Sequence, residues 1–222
     1  FASNNEIYFS IASILKYVPY CGTIYIITDE QQPANIYDFV EQGLCNPDQI
    51  KIIDHRTIFT GYEQYLPTFN SLSIETMLWN IPSLSRYFIY LNDDFFFNAP
   101  SEFEDFLAND QIKIYGHWER SSLVKAKFNL RKGLNKYFGK SLQPKYTIAQ
   151  MLSADLCGLN QYYEIHHRPH IMDREFLKEY FTKYPEILHQ QIKYRFRSAL
   201  QFLPVGLNNH LKIQASKAIL CD

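Results

Sequence analysis

Cysteine is sparse: Cys21, Cys45, Cys157 and Cys221 lie far apart in 222 residues, with no CxxC pair. That spacing supports neither a zinc knuckle nor a dense disulfide framework and points to reduced thiols in a cytosol. No apolar run approaches the ~18 residues needed to cross a bilayer, and the first residues lack the basic-then-apolar order of a secretory signal. An excess of either charge is also missing. Twenty-two Lys plus Arg against twenty-three Asp plus Glu leave a net charge of −1, so no bulk field holds a polyanion by counterion release, and nucleic acid is not an expected partner. Internal repeats and low-complexity tracts are absent too. What remains is globular: 46% hydrophobic and 20% charged, enough for one large domain with its own core. The 16% aromatic content, 17 Tyr and 17 Phe, suits a sheet-containing protein with stacking surfaces for sugars or bases. The chain starts at Phe1 and stops at Asp222, just after the apolar Ala218 to Leu220, which reads as a fragment of a longer protein.

Apolar spacing predicts a helix from Asn4 or Asn5, through Ile7, Ile11, Ile14, Leu15 and Val18, to Pro19. Thr23 to Thr28, Lys51 to Asp54 and Arg86 to Leu91 read as buried strands. Helices are predicted between them at Ile36 to Leu44 and Ser71 to Asn80. Alternating strands and helices argue for an α/β fold with a mostly parallel, doubly wound sheet. After Pro100, Ser101 to Ala108 looks helical and Gln111 to Tyr115 strand-like. From Ser121 onward helical signals dominate, including Asp173 to Lys183 and Glu186 to Phe202. The basic stretch Lys125 to Lys145, with Lys125, Lys127, Arg131, Lys132, Lys136, Lys140 and Lys145, reads as either a flap or a solvated helix.

Ligands of open α/β sheets bind beyond the carboxyl ends of the strands. That rule selects Thr28-Asp29-Glu30-Gln31, Asp54-His55-Arg56 and Asn92-Asp93-Asp94. Adjacent carboxylates such as Asp93 and Asp94 suit Mg²⁺ or Mn²⁺ held with a diphosphate; the plainer reading is a turn. Leu66 to Ser71 leads into a helix that Asn70 or Ser71 caps, leaving backbone N–H groups for a phosphate or base. Glu75, one turn on, either meets a ligand hydroxyl or stays solvated. His166-His167-Arg168-Pro169-His170 is read as one catalytic histidine with two bystanders, or as a polar loop. In Tyr194 to Ser198, read as helical, Arg195 and Arg197 face different ways, so at most one clamps a phosphate.

Asn5-Glu6, Ile26-Ile27-Thr28-Asp29 with Gln32-Pro33, Leu66-Pro67-Thr68-Phe69-Asn70-Ser71 with Ile74-Glu75, and Phe88 to Asp94 occur in the order of the second conserved region of the Stealth family, which this sequence resembles. His167-Arg168-Pro169 followed by Arg195-Phe196-Arg197-Ser198 is similar to its third region. The first region would precede Phe1, and the fourth would start at Leu220-Cys221-Asp222. The resemblance implies a sugar-1-phosphate transferase on a GT-A-like, nucleotide-sugar-binding sheet (1–120), with a mostly helical part (121–222) completing one catalytic domain. It implies transfer of N-acetylhexosamine-1-phosphate from a UDP-sugar to a glycan hydroxyl in capsule or cell-surface polymer synthesis. The expected setting is the cytoplasm at the inner face of a bacterial membrane, beside a capsule assembly complex. By the same resemblance, Asn92, Asp94, His167 and Arg197 are expected at the reacting centre, with Asp94 or His167 as base. Asn70, Ser71, Glu75 and Asp29 are expected to bind the donor, and Asp93 and Asp94 to hold Mg²⁺ or Mn²⁺. Two readings compete with it: a metal-dependent retaining glycosyltransferase, which would break the bond at C1, and a non-catalytic glycan-binding fragment.

Overall fold

The computed structural model describes residues 5–139 and 142–222; Asn4, the alternative first cap, and Lys140 of the basic stretch lie outside the described residues. Helix α1 (Glu6–Tyr17) buries Ile11 and Ile14. They pack in one cluster with Val18, with Ile24 and Ile26 of strand β1 (Ile24–Thr28), and with Phe39 of the short helix α2 (Asp38–Glu41). Strand β2 (Ile50–Asp54) pairs with β1 in parallel, Ile26 opposite Ile52, and runs directly into α3 (His55–Ile58), whose cap is Asp54. This is the βαβ unit that the alternating pattern predicts.

The third strand departs from it. Strand β3 (Tyr87–Tyr90) pairs antiparallel with β7 (His170–Asp173), Phe88 opposite Met172. A second assembly joins β4 (Leu107–Ala108) and β6 (Gln161–Ile165) antiparallel to β5 (Gln111–Arg120), with β8 (Ala218–Cys221) parallel to it. The fold is therefore α/β with mixed sheets, and the expectation of a mostly parallel, doubly wound sheet is corrected. An apolar run reports that a strand is covered on both faces, not which way its neighbour runs.

The second half is helical, as expected, but interleaved with β6, β7 and β8. Helix α4 (Ser71–Thr76) is shorter than predicted, and Leu78–Asn80 forms a 3₁₀ turn. Ser101 to Ala108 holds the 3₁₀ turn Phe103–Asp105 and β4 in place of a helix. The basic stretch folds mainly as α5 (Ser121–Phe138), followed by α6 (Tyr146–Leu156). Asp173 caps α7 (Arg174–Lys183), accepting from Glu175 N at 3.0 Å. The helix expected at Glu186 to Phe202 ends early: α8 (Pro185–Ile192) stops before a loop of bends and turns, and α9 (Pro204–Gln214) starts anew. Both helices place proline in the first turn, where no hydrogen bond is lost. The principal core packs Ile58 and Met77 against Ile112, Met172, Leu177 and Leu188, tying both halves into one interior.

Candidate functional site

Five segments distant in sequence meet around a cavity of about 210 Å³. Helix α4 supplies Leu72 and Glu75, the end of β3 supplies Tyr90 and Asn92, the turn before β7 supplies His167 and Arg168, and β7 opens with His170. The segment between α8 and α9 adds Arg197, Ser198 and Gln201, while Lys145 and Tyr146 close one wall. Lys145, Arg168 and Arg197 thus line the cavity with a single carboxyl group, that of Glu75, whose charge Arg197 is near enough to feel; the excess of cations suits an anionic ligand.

The residues are linked. Arg197 donates to the Ser71 hydroxyl through Nη2 at 2.7 Å and Nε at 3.2 Å. Glu75 lies beyond Ser71, only 9% exposed rather than on the solvated surface. Burial pushes its carboxyl up to about 7, against hydrogen bonding to Tyr90 and Ser71 and the Arg197 charge, which pull it down. The Tyr90 hydroxyl donates to Asn92 Oδ1 at 2.7 Å. Two residues apart at a strand end, Tyr90 and Asn92 emerge on the same side. His170 is pulled down to about 4 chiefly by burial, so at neutral pH it lines the cavity uncharged. His167 is exposed and meets the Phe95 ring edge-on at 4.6 Å.

Asn70 is fully buried and outside the cavity lining. Its amide nitrogen donates to Tyr194 O at 2.9 Å and to Gln201 Oε1 at 2.8 Å, while Oδ1 caps α4 through Leu72 N. Gln201 Oε1 also accepts from Ser198 N at 2.9 Å. Asn70 therefore acts by holding the Arg197-bearing segment against α4. That segment is a loop, not the expected helix, yet only one of its two arginines lines the cavity: Arg195 instead lies over the Phe69 ring at 5.3 Å.

Asp93 and Asp94 are exposed and lie outside this lining. They occupy the turn between Asn92 and Phe95, closed by Phe95 N donating to Asn92 O at 3.2 Å, and Asp94 faces a neighbouring depression with Glu6 and Ser13. The pair offers two hard oxygen donors, the number Mg²⁺ takes when waters and substrate phosphates complete its shell. Among the described residues, the cluster able to offer three metal ligands is His117, Glu119 and Glu164, across β5 and β6. His117 and Glu119 are exposed, 3.4 Å apart, in the manner of a surface ion pair. Asp29 also lies outside the cavity, its carboxylate 3.9 Å from His55 Nδ1 at the end of β1.

Sequence reasoning named Glu75, Asn92, His167 and Arg197 in the lining but not Tyr90, Lys145, Tyr146 or Gln201. Tyr90 was legible from its two-residue offset from Asn92; the other three arrive through tertiary packing alone.

Residues 1–115 match the family description Stealth protein CR2, conserved region 2. The chain is 36% identical over 154 residues to capsular polysaccharide phosphotransferase fcs1 of Haemophilus influenzae, covering 64% of this chain and 40% of that protein. It is 45% identical over 112 residues to capsular polysaccharide phosphotransferase LcbA of Neisseria meningitidis, covering 50% and 28%. With LcbA of Aeromonas hydrophila the identity is 35% over 156 residues, covering 70% and 36%. The chain thus spans well under half the length of these curated relatives.

Proposed function

The chain belongs to the Stealth family, and on that premise we propose that it transfers a sugar-1-phosphate, N-acetylhexosamine-1-phosphate, from a UDP-sugar to a glycan hydroxyl in capsular or cell-surface polysaccharide synthesis. The observation carrying this reading is the cavity lined by Lys145, Arg168 and Arg197 together with one carboxyl group, Glu75, which burial raises to about 7. The names of its relatives support it. We take the architecture as GT-A-like, with the donor at the cavity and the reaction at the cytoplasmic face of a bacterial membrane beside a capsule assembly complex.

In this reading the acceptor oxygen attacks the sugar-proximal phosphorus. A new P–O bond forms, the bridging P–O bond breaks, and UMP leaves; the C1–O bond survives, so anomeric configuration is kept. Arg197, already oriented by Ser71, stabilises charge on the transferred phosphoryl oxygens. Asn92 contacts the reacting group, and His167, exposed at the cavity, takes the acceptor proton. Glu75 and Ser71 contact the donor, and Glu75 can donate a hydrogen bond to a phosphate oxygen while it keeps its proton. Asp93 and Asp94 would hold Mg²⁺ or Mn²⁺, which neutralises diphosphate charge.

Nucleotide product analysis with a panel of UDP-sugars and a glycan acceptor tests the proposal. UMP is expected; UDP would assign the chemistry to glycosyl transfer at C1.

A further inference from the structure

Helix α5 carries an exposed apolar stripe that the proposed chemistry does not use. Leu123, Leu130, Leu134 and Tyr137 are 71%, 66%, 40% and 78% exposed. They recur at intervals of seven, four and three residues, which a turn of ~3.6 residues places along one side of the helix. The protein is held by another side: Phe128 is buried and Val124 packs beside it against Ile148 and Met151 of α6. The stripe is therefore not the core face of a misjudged amphipathic helix but a second apolar face turned to solvent.

Charge identifies its occupant. The eighteen residues of α5 hold Lys125, Lys127, Arg131, Lys132 and Lys136 and no Asp or Glu, in a chain whose net charge is −1. Lys125 is engaged with Asp155 at 2.8 Å. Lys127, Arg131, Lys132 and Lys136 are exposed and enter no ion pair among the described residues. At helical spacing Lys127 and Arg131 run alongside the stripe, and Lys132 and Lys136 lie further round. Leucines and a tyrosine on one face, bordered by cations without acids, match a helix lying in the plane of an anionic bilayer, with its leucines at the headgroup boundary. Among the described residues no helix is long and apolar enough to cross a membrane, and α5 itself would lie on the surface rather than span it.

We propose that α5 docks the protein on an anionic lipid surface through Leu123, Leu130, Leu134 and Tyr137, with the flanking Lys127 and Arg131 meeting lipid phosphates. Pro144, Lys145 and Tyr146 of the cavity wall follow α5 closely in sequence, so docking sets the cavity near the bilayer. The inference does not depend on the transferase reading.

Vesicle flotation tests it, comparing phosphatidylcholine alone with phosphatidylcholine carrying about one-third phosphatidylglycerol. The protein is expected to float with the anionic vesicles at least about tenfold more than with the neutral ones, and to be released by high salt. The double variant Leu130→Ser, Leu134→Ser and the separate variant Lys127→Gln, Arg131→Gln should each lose most of that preference with circular dichroism and melting unchanged. If the leucine variant melts early, the charge variant decides. No flotation, or a folded variant floating as well as the unaltered protein, overturns the proposal. So does a lipid-free dimer in sedimentation equilibrium that the leucine substitutions disperse, since the stripe would then belong to a second copy.

Discussion

At the residue scale, Glu75 carries the clearest consequence. Its folded value of about 7 lies above its ordinary 4.5, so its protonated form contributes stability that is fully present below pH ~4.5 and lost as pH rises through ~7. Glu75→Gln removes that loss. The variant should gain roughly 3 kcal/mol over wild type at pH 8 in denaturant titration, while the pH–rate profile loses its limb near neutrality. Unchanged alkaline stability would show the carboxyl to be ionised throughout. Arg197→Lys keeps a charge but gives up the two-pronged grip on Ser71; turnover should fall by about 100-fold with little change in melting temperature. Glu75, Asn92, His167 and Arg197 were singled out through the resemblance to the Stealth regions; position alone marked only Asn92, a polar residue at the end of an apolar strand. The burial of Glu75 was not readable, because it depends on Tyr90 and the cavity wall closing over α4.

At the element scale, the parts that approach most closely were the least legible. A Cβ on Gly116 of β5 would lie 2.0 Å from the Glu164 carbonyl oxygen of β6. Gly116→Ala should therefore cost about 3 kcal/mol in unfolding free energy, where an unpacked glycine would lose nothing. Helix α9 is pinned similarly. Lys212 Nζ is 2.6 Å from Asp173 Oδ2, both side chains fully buried, and Arg86 approaches the same oxygen at 3.3 Å. Lys212→Met leaves Arg86 as the one cation on that carboxylate, beside the backbone N–H groups of α7 that it caps, and should destabilise by about 3 kcal/mol; a neutral effect would mean Arg86 suffices. Helix α7 was visible in sequence because Asp173 is a strong cap. Strand β7 was missed: four residues directly behind Pro169 give too little alternation to register, and with it went the antiparallel partner of β3.

For the whole molecule, acid and base pull in opposite directions. His170 and His210 are both held down to about 4, mainly by burial, and neutral His210 Nε2 accepts from Tyr163 N at 3.0 Å. Their contribution is present above the ordinary 6.5 and lost as pH falls through 4, while that of Glu75 is lost toward alkaline pH. Melting temperature should therefore peak at about pH 6; a monotonic rise from pH 4 to 8 would deny the Glu75 effect. The central claim is that Arg197, positioned by Ser71 and Asn70 beside Glu75, forms one pocket for the diphosphate of a nucleotide sugar. Calorimetric titration of UDP-N-acetylglucosamine, with Mg²⁺ present, into the protein and its Arg197→Ala variant tests this most directly. One binding site, weakened at least about tenfold by the substitution, is expected; equal affinity in the two proteins would contradict the claim.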